Sequence, residues 1–148
     1  MKKSYKVLIT GMIIAVVLAA LLLYFRPMKM SGLINEDQEL LITRTEFVVQ
    51  DGEPYNDYKN YNDLTEEQRR NIIDLFQHYT YRRTPGTLFS DGAISGPINN
   101  IINIYVYKDS ELVRTITISD VGGMSVNSKV YVVQEPMVLI QNILDVIE

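Results

Sequence analysis

An N-terminal transmembrane helix followed by a two-layer α+β domain is the fold class that the sequence predicts. The domain is expected to hold an antiparallel sheet and two helices in the order β-α-β-β-β-β-α. Three observations predict this. A long apolar run opens the chain, short blocks of alternating apolar and polar residues fill its middle, and two segments carry apolar residues at i, i+3, i+4 and i+7. The chain has 148 residues, which leaves room for one domain with a modest core beyond the apolar run.

The apolar run, Val7 to Phe25 (VLITGMIIAVVLAALLLYF), carries no charge. At about 1.5 Å per residue it reaches roughly 28 Å, close to the thickness of a bilayer's hydrocarbon core. It passes directly into Arg26-Pro27 with no small-residue cleavage pattern, so it reads as an uncleaved signal anchor. Lys2, Lys3 and Lys6 precede it, and Arg26 and Lys29 follow. The positive excess stays in the cytoplasm, which puts the C-terminal domain outside the cell membrane. The expected organisation is a cytoplasmic tail at 1–6, the span at 7–25, a linker at 26–35 and the extracytoplasmic domain at 36–148. Gly11 and Ala15 have a spacing that permits helix pairing.

Within the domain, Glu39 to Gln50 (ELLITRTEFVVQ) is rich in β-branched and aromatic residues and predicts a strand, ended by Asp51-Gly52-Glu53-Pro54. Tyr55 to Asp63 (YNDYKNYND) reads as a polar, tyrosine-rich stretch. Thr65 and Gln68 fit a capping box, and Ile72, Leu75, Phe76 and Tyr79 form an apolar stripe. That helix is expected to run on towards Arg82 and Arg83 until Pro85-Gly86 stops it. A loop over Thr87 to Pro97 leads to NNIINIYVY and LVRTITI, which alternate around Lys108–Glu111 as a hairpin. Leu112, Arg114, Ile116 and Ile118 are expected on one face. Met124–Val126 and Lys129–Val133 form a second hairpin around Asn127-Ser128. Pro136 opens the last helix, whose stripe is Ile140, Ile143, Leu144 and Ile147. Both stripes are expected to cover one face of the sheet.

The lone anchor, the order of elements and the closing pattern (IYVYKDSELVRTITI, then VYVVQEPMVLIQNILDVI) resemble small single-pass, surface-exposed proteins of unknown function from Gram-positive bacteria. The resemblance covers most of residues 39–148. It implies location and fold, and it carries over no functional residues.

Composition removes several chemistries. There is no cysteine and a single histidine, His78, so disulfides, thiol nucleophiles, iron–sulfur clusters and multi-histidine metal sites are absent within one chain. All 18 acidic residues lie beyond Arg26, whereas four of the 14 basic ones flank the apolar run. Such an acidic domain is a poor partner for nucleic acid. Asp51, Glu53, Asn56, Asp57, Asn62 and Asp63 supply oxygen ligands of a kind that suits Ca²⁺, but without EF-hand spacing they read as a solvated loop. No metal and no cofactor is expected. Ser95 lacks nucleophile-elbow spacing, and Ser125 with Lys129 flanks an ordinary turn.

The expected function is a non-catalytic binding module tethered to the membrane, of accessory, inhibitor, immunity or sensor type. Its partner would be another membrane or envelope protein. The alternative is a cell-envelope hydrolase with a carboxylate- or serine-based site. Candidate binding residues are Tyr55, Tyr58 and Tyr61, spaced by three, and Tyr105 and Tyr107 on the strand face opposite Ile102, Ile104 and Val106, with Tyr131 adding to them. High strand propensity alone also accounts for tyrosines there. Arg82 and Arg83, like Arg69 and Arg70, are candidates for anionic headgroups, envelope polymers or a carboxylate.

Overall fold

Alternation and striping act as predicted in the centre of the domain, and local chemistry decides its edges. A computed structural model describes the backbone from Lys2 to Glu148 and side chains from Leu8 onward. The proposed tail at 1–6, with Lys2, Lys3 and Lys6, lies outside the residues whose side chains are described. In chain order the elements are α1 (Lys2–Tyr24), β1 (Met28–Lys29), β2 (Glu39–Gln50), β3 (Glu53–Tyr61), α2 (Glu66–Gln77), β4 (Thr80–Arg82), β5 (Asn100–Lys108), β6 (Glu111–Ser119), β7 (Gly123–Val126), β8 (Lys129–Val133) and α3 (Pro136–Ile147). Short 3₁₀ turns occupy Met30–Gly32 and Pro85–Leu88. The eight strands form one antiparallel sheet in the order β1-β4-β8-β7-β6-β5-β2-β3. The fold is α+β.

Three hairpins share one device. Asp51-Gly52, Asp109-Ser110 and Asn127-Ser128 all have positive φ at both central residues, the geometry of two-residue turns whose twist matches that of the flanking strands. Asp, Asn and Gly reach this region at low cost. The first of these turns corrects the expectation of a polar loop: residues 53–61 return along β2 as β3, paired from Gln50↔Glu53 to Ile42↔Tyr61.

Register divides the sheet into two faces. Leu40, Ile42, Ile102, Ile104, Val106, Ile116, Ile118 and Met124 fall on one face and are buried. Ile72, Ile73 and Phe76 of α2 and Leu139, Ile140, Ile143, Leu144 and Ile147 of α3 join them in a single core. Both helix stripes therefore cover one face, as expected. A register shift between Val106 and Tyr107 pairs Leu112 with Tyr107, so Leu112 leaves the face of Arg114, Ile116 and Ile118. A bulge inserts one residue and reverses the alternation beyond it.

Two further expectations are corrected. The α2 helix ends at Gln77, not near Arg83; at its C-terminus the His78 N–H donates to the Leu75 carbonyl and the Tyr79 N–H to the Phe76 carbonyl, and Thr80–Arg82 turns into β4 between β1 and β8. A β-branched and aromatic pair, Thr80-Tyr81, favours a pleated surface over another helical turn. Residues 26–35 are not a plain linker. Met30, Leu33 and Ile34 are buried, and Arg114 donates hydrogen bonds to the carbonyls of Gly32 and Leu33. The segment becomes part of the core because its apolar residues bury against α2 and its carbonyls have donors to meet.

The loop between β4 and β5 crosses the second face over β7 and β8. The Thr87 hydroxyl donates to the Val130 carbonyl at 2.6 Å, and the Val130 N–H donates to the Ser90 hydroxyl at 2.9 Å. Gly92 has φ +95°, and a Cβ there would lie 2.8 Å from the Ser128 backbone; that approach and that φ both require glycine.

Helix α1 meets the domain at Tyr24, whose ring lies beside the Arg83 guanidinium. Its described side chains from Leu8 to Leu23 are exposed on every side. Among the described residues no helix is long and apolar enough to cross a membrane.

Candidate functional site

The second face of the sheet is open over β2, β3, β5 and β6, and its centre is a polar ladder. The Asn103 amide donates to the Thr43 hydroxyl at 3.3 Å, and the Thr117 hydroxyl donates to the Asn103 carbonyl oxygen at 2.8 Å. These cross-strand pairs satisfy one another and hold the face flat.

The apolar surface on this face lies at one end, where β2 and β3 outrun the rest of the sheet. β2 pairs with β5 only as far as Glu46, whereas its pairing with β3 continues to Gln50. Phe47 still donates its N–H to the Asn99 carbonyl at 2.8 Å, and beyond it residues 48–55 form a two-stranded arm with Phe47 at its base. Register places Phe47, Val49, Pro54 and Tyr58 on its open face, with Phe47 opposite Asn56, Val49 opposite Pro54 and Thr45 opposite Tyr58. Phe47 is 42% exposed, Val49 73% and Tyr58 65%. Asn56 donates to the Tyr58 hydroxyl at 3.0 Å, which steadies the ring on the surface. β3 has no second neighbour, so nine residues of edge backbone run beside this patch.

The predicted tyrosines are thus only partly assembled. A spacing of three gathers side chains on a helix but alternates them on a strand. Tyr58 faces the open side, while Tyr55 and Tyr61 face the other. Tyr105 and Tyr107 do lie opposite the isoleucine face, beside Leu41 and Glu39, and are half-buried. Tyr131 does not join them: it pairs with Met124 on the core side and meets Tyr81 edge-to-face, centroids 5.1 Å apart. The sequence of β2 does not single out Phe47 and Val49, because a strand's own pattern does not show which of its residues extend past a neighbouring strand.

Tyr61 takes part in a polar latch. Its hydroxyl donates to the Glu148 carboxylate at 2.7 Å, with Arg44 at 3.3 Å and Lys59 at 3.6 Å from the same oxygen. Burial and then the Glu148 carboxylate push the Tyr61 hydroxyl up to about 12, and the Tyr61 hydrogen bond holds Glu148 below its ordinary range. The latch ties the end of α3 to β2 and β3. Tyr61→Phe is expected to destabilise the domain by about 1 kcal/mol near neutral pH. The latch's contribution is present above the unfolded carboxylate value and is lost as pH falls through the lower folded value. At the other limb it is fully present below pH 10 and is lost as the tyrosine ionises between 10 and about 12. Thermal melts of both proteins across pH check this, and parallel profiles at both extremes would refute it.

A groove of about 670 Å³ lies where β2 begins and β3 ends, lined by Glu39, Leu41, Asn62, Asp63, Arg69 and Tyr107 among others. Arg69 is already engaged, donating to the carbonyls of Glu36 and Gln38. His78 lines a separate recess of about 370 Å³ with Tyr79, Glu135 and Asn142. Ser125 and Lys129 fall on opposite faces and form no dyad. Among the described residues no group of three or more His, Asp or Glu side chains converges as metal ligands. No protein-family model, curated protein or solved structure matches the chain.

Proposed function

We propose that this chain is a non-catalytic binding module, tethered by α1 to the outer face of a cell membrane, that docks on another membrane or envelope protein through the β2–β3 arm. The observation that carries the reading is the exposed apolar patch of Phe47, Val49, Pro54 and Tyr58 beside an unpaired strand edge. Apolar and aromatic residues displayed together outside a core are the usual anchors of a protein interface. A free edge adds main-chain hydrogen bonds to an extended partner segment. The uncharged run of Val7–Phe25 and the exposure of α1 on every side support the tether. Tethering raises the module's effective concentration near other proteins of the same membrane. The architectural resemblance to small single-pass, surface-exposed proteins of Gram-positive bacteria belongs to the same proposal.

A photoreactive residue at Tyr58 in the full chain, in native membranes, is expected to crosslink to one discrete envelope protein, while the same group at Gln141 on α3 does not. Phe47→Asp with Val49→Asp abolishes that crosslink and leaves the melting temperature within a few degrees, because both side chains are exposed. Equal crosslinking from the two positions, or a crosslink that survives the double substitution, overturns the reading.

A further inference from the structure

We infer that Arg82, Arg83 and the loop from Pro85 to Ser90 form a bilayer-docking surface that takes the phosphate of an anionic phospholipid. The inference rests on the reading of α1 as a membrane helix and goes beyond it, because it assigns the domain itself a second contact with the bilayer. Three independent features meet at this corner.

The first is position. The Arg83 guanidinium lies 4.9 Å from the centroid of the Tyr24 ring, and Phe25, Arg82, Arg83, Thr84 and Pro85 line one groove of about 360 Å³. Tyr24 and Phe25 end the apolar run, at the depth where aromatic rings meet headgroups. β4 is therefore held where the chain would leave the bilayer.

The second is an apolar pair displayed by design of the loop. Thr87 and Ser90 are both tied to Val130. Leu88 and Phe89, between these two ties, are 57% and 88% exposed. Pinning on either side keeps the pair from folding back, and an exposed Phe next to arginines suits the headgroup–acyl boundary.

The third is charge. Pairing of β1 with β4, Met28 opposite Tyr81 and Lys29 opposite Thr80, brings Arg26, Lys29, Arg82 and Arg83 to the exit of α1 in an otherwise acidic domain. Among the described residues no carboxylate forms a salt bridge with any of them; the four salt bridges lie elsewhere. A guanidinium presents two parallel N–H donors that match phosphate oxygens, and such clusters are drawn to anionic leaflets.

The chain contains no tryptophan, so single substitutions make clean reporters. Full-length Phe89→Trp and Leu22→Trp proteins would be reconstituted in vesicles of phosphatidylcholine and phosphatidylglycerol in equal parts, with brominated acyl chains as quencher. Both emissions are expected to fall, that of Phe89→Trp by roughly twofold. In the Phe89→Trp background, Arg82→Gln with Arg83→Gln is expected to relieve the quenching, as does pure phosphatidylcholine. Quenching at Leu22→Trp without quenching at Phe89→Trp overturns the docking surface and leaves the anchor intact. No quenching at Leu22→Trp overturns the anchor, and the docking surface with it. Phe89→Trp quenching that ignores both the arginines and the lipid charge overturns the phosphate assignment.

Discussion

Phe76→Ala is expected to destabilise the domain by about 3–5 kcal/mol, the range for emptying an aromatic site in a packed interior. Phe76 is 1% exposed and sits on α2, which packs against α3 and the turn at Met30–Gly32. Met30 and the α3 stripe are themselves buried in the same core, so the site cannot collapse around the void by a simple side-chain shift. A domain of this size holds only about 5–15 kcal/mol in total. The melting temperature should therefore fall by roughly 10–20 °C. Leu75→Ala, at a half-buried neighbouring position on the same helix, is the internal contrast and should cost distinctly less. Circular dichroism melts of the three full-length proteins in detergent make the comparison. An equal loss at both positions would mean that α2 is not seated as described.

Val16→Asp with Val17→Asp acts on the other half of the molecule. Each acidic side chain near the centre of a spanning helix costs about 2.5–3.5 kcal/mol of insertion free energy, so the pair costs about 5–7 kcal/mol. The proposed tether is expected to fail. The wild-type chain should remain with membranes through alkaline carbonate extraction, and the variant should appear in the supernatant. The domain's own melt should change little, because residues 16 and 17 are exposed and make no part of the core. A wild-type chain that is itself extracted would sink the tether and the orientation argued from the flanking lysines.

These two substitutions separate what is carried by local sequence from what is carried by assembly. The stripe of α2, the stripe of α3 and the alternation of β5 and β6 are periodic, and periodicity is visible one segment at a time. Capping at Thr65 and Gln68 is equally local, and the reciprocal hydrogen bonds are present at 3.1 and 3.0 Å. β4 and β1 were not visible in this way. Thr80–Arg82 is too short to show a period and exists because β1 and β8 offer it partners on either side. β3 was hidden differently: its polar residues suggest solvent, and on an edge strand with one open face solvent is where they are.

The candidate site follows the same division. Tyr58 was legible as a surface aromatic, and Tyr105 and Tyr107 as residues opposite the core. That Tyr55 and Tyr61 turn away from Tyr58 depended on whether the segment is a strand, for which the decisive local cue was the Asp51-Gly52 turn. The exposed patch of Phe47 and Val49 depends on where β5 stops, a fact about a neighbour more than fifty positions away in sequence. Likewise Arg82 and Arg83, predicted near a helix end, acquire a setting only when β4 carries them beside Tyr24.

By itself, the sequence determined the α+β class, the single core face, the turns that allow two-residue hairpins and the apolar stem. These follow from side-chain period, capping and backbone preference, all of which act within a few residues. Only the tertiary structure decided the strand order, the membership of Met30, Leu33 and Ile34 in the core and the two surfaces left over. Those depend on which edges find partners and which apolar side chains are left without cover, and that is settled by long-range pairing, which no local pattern encodes.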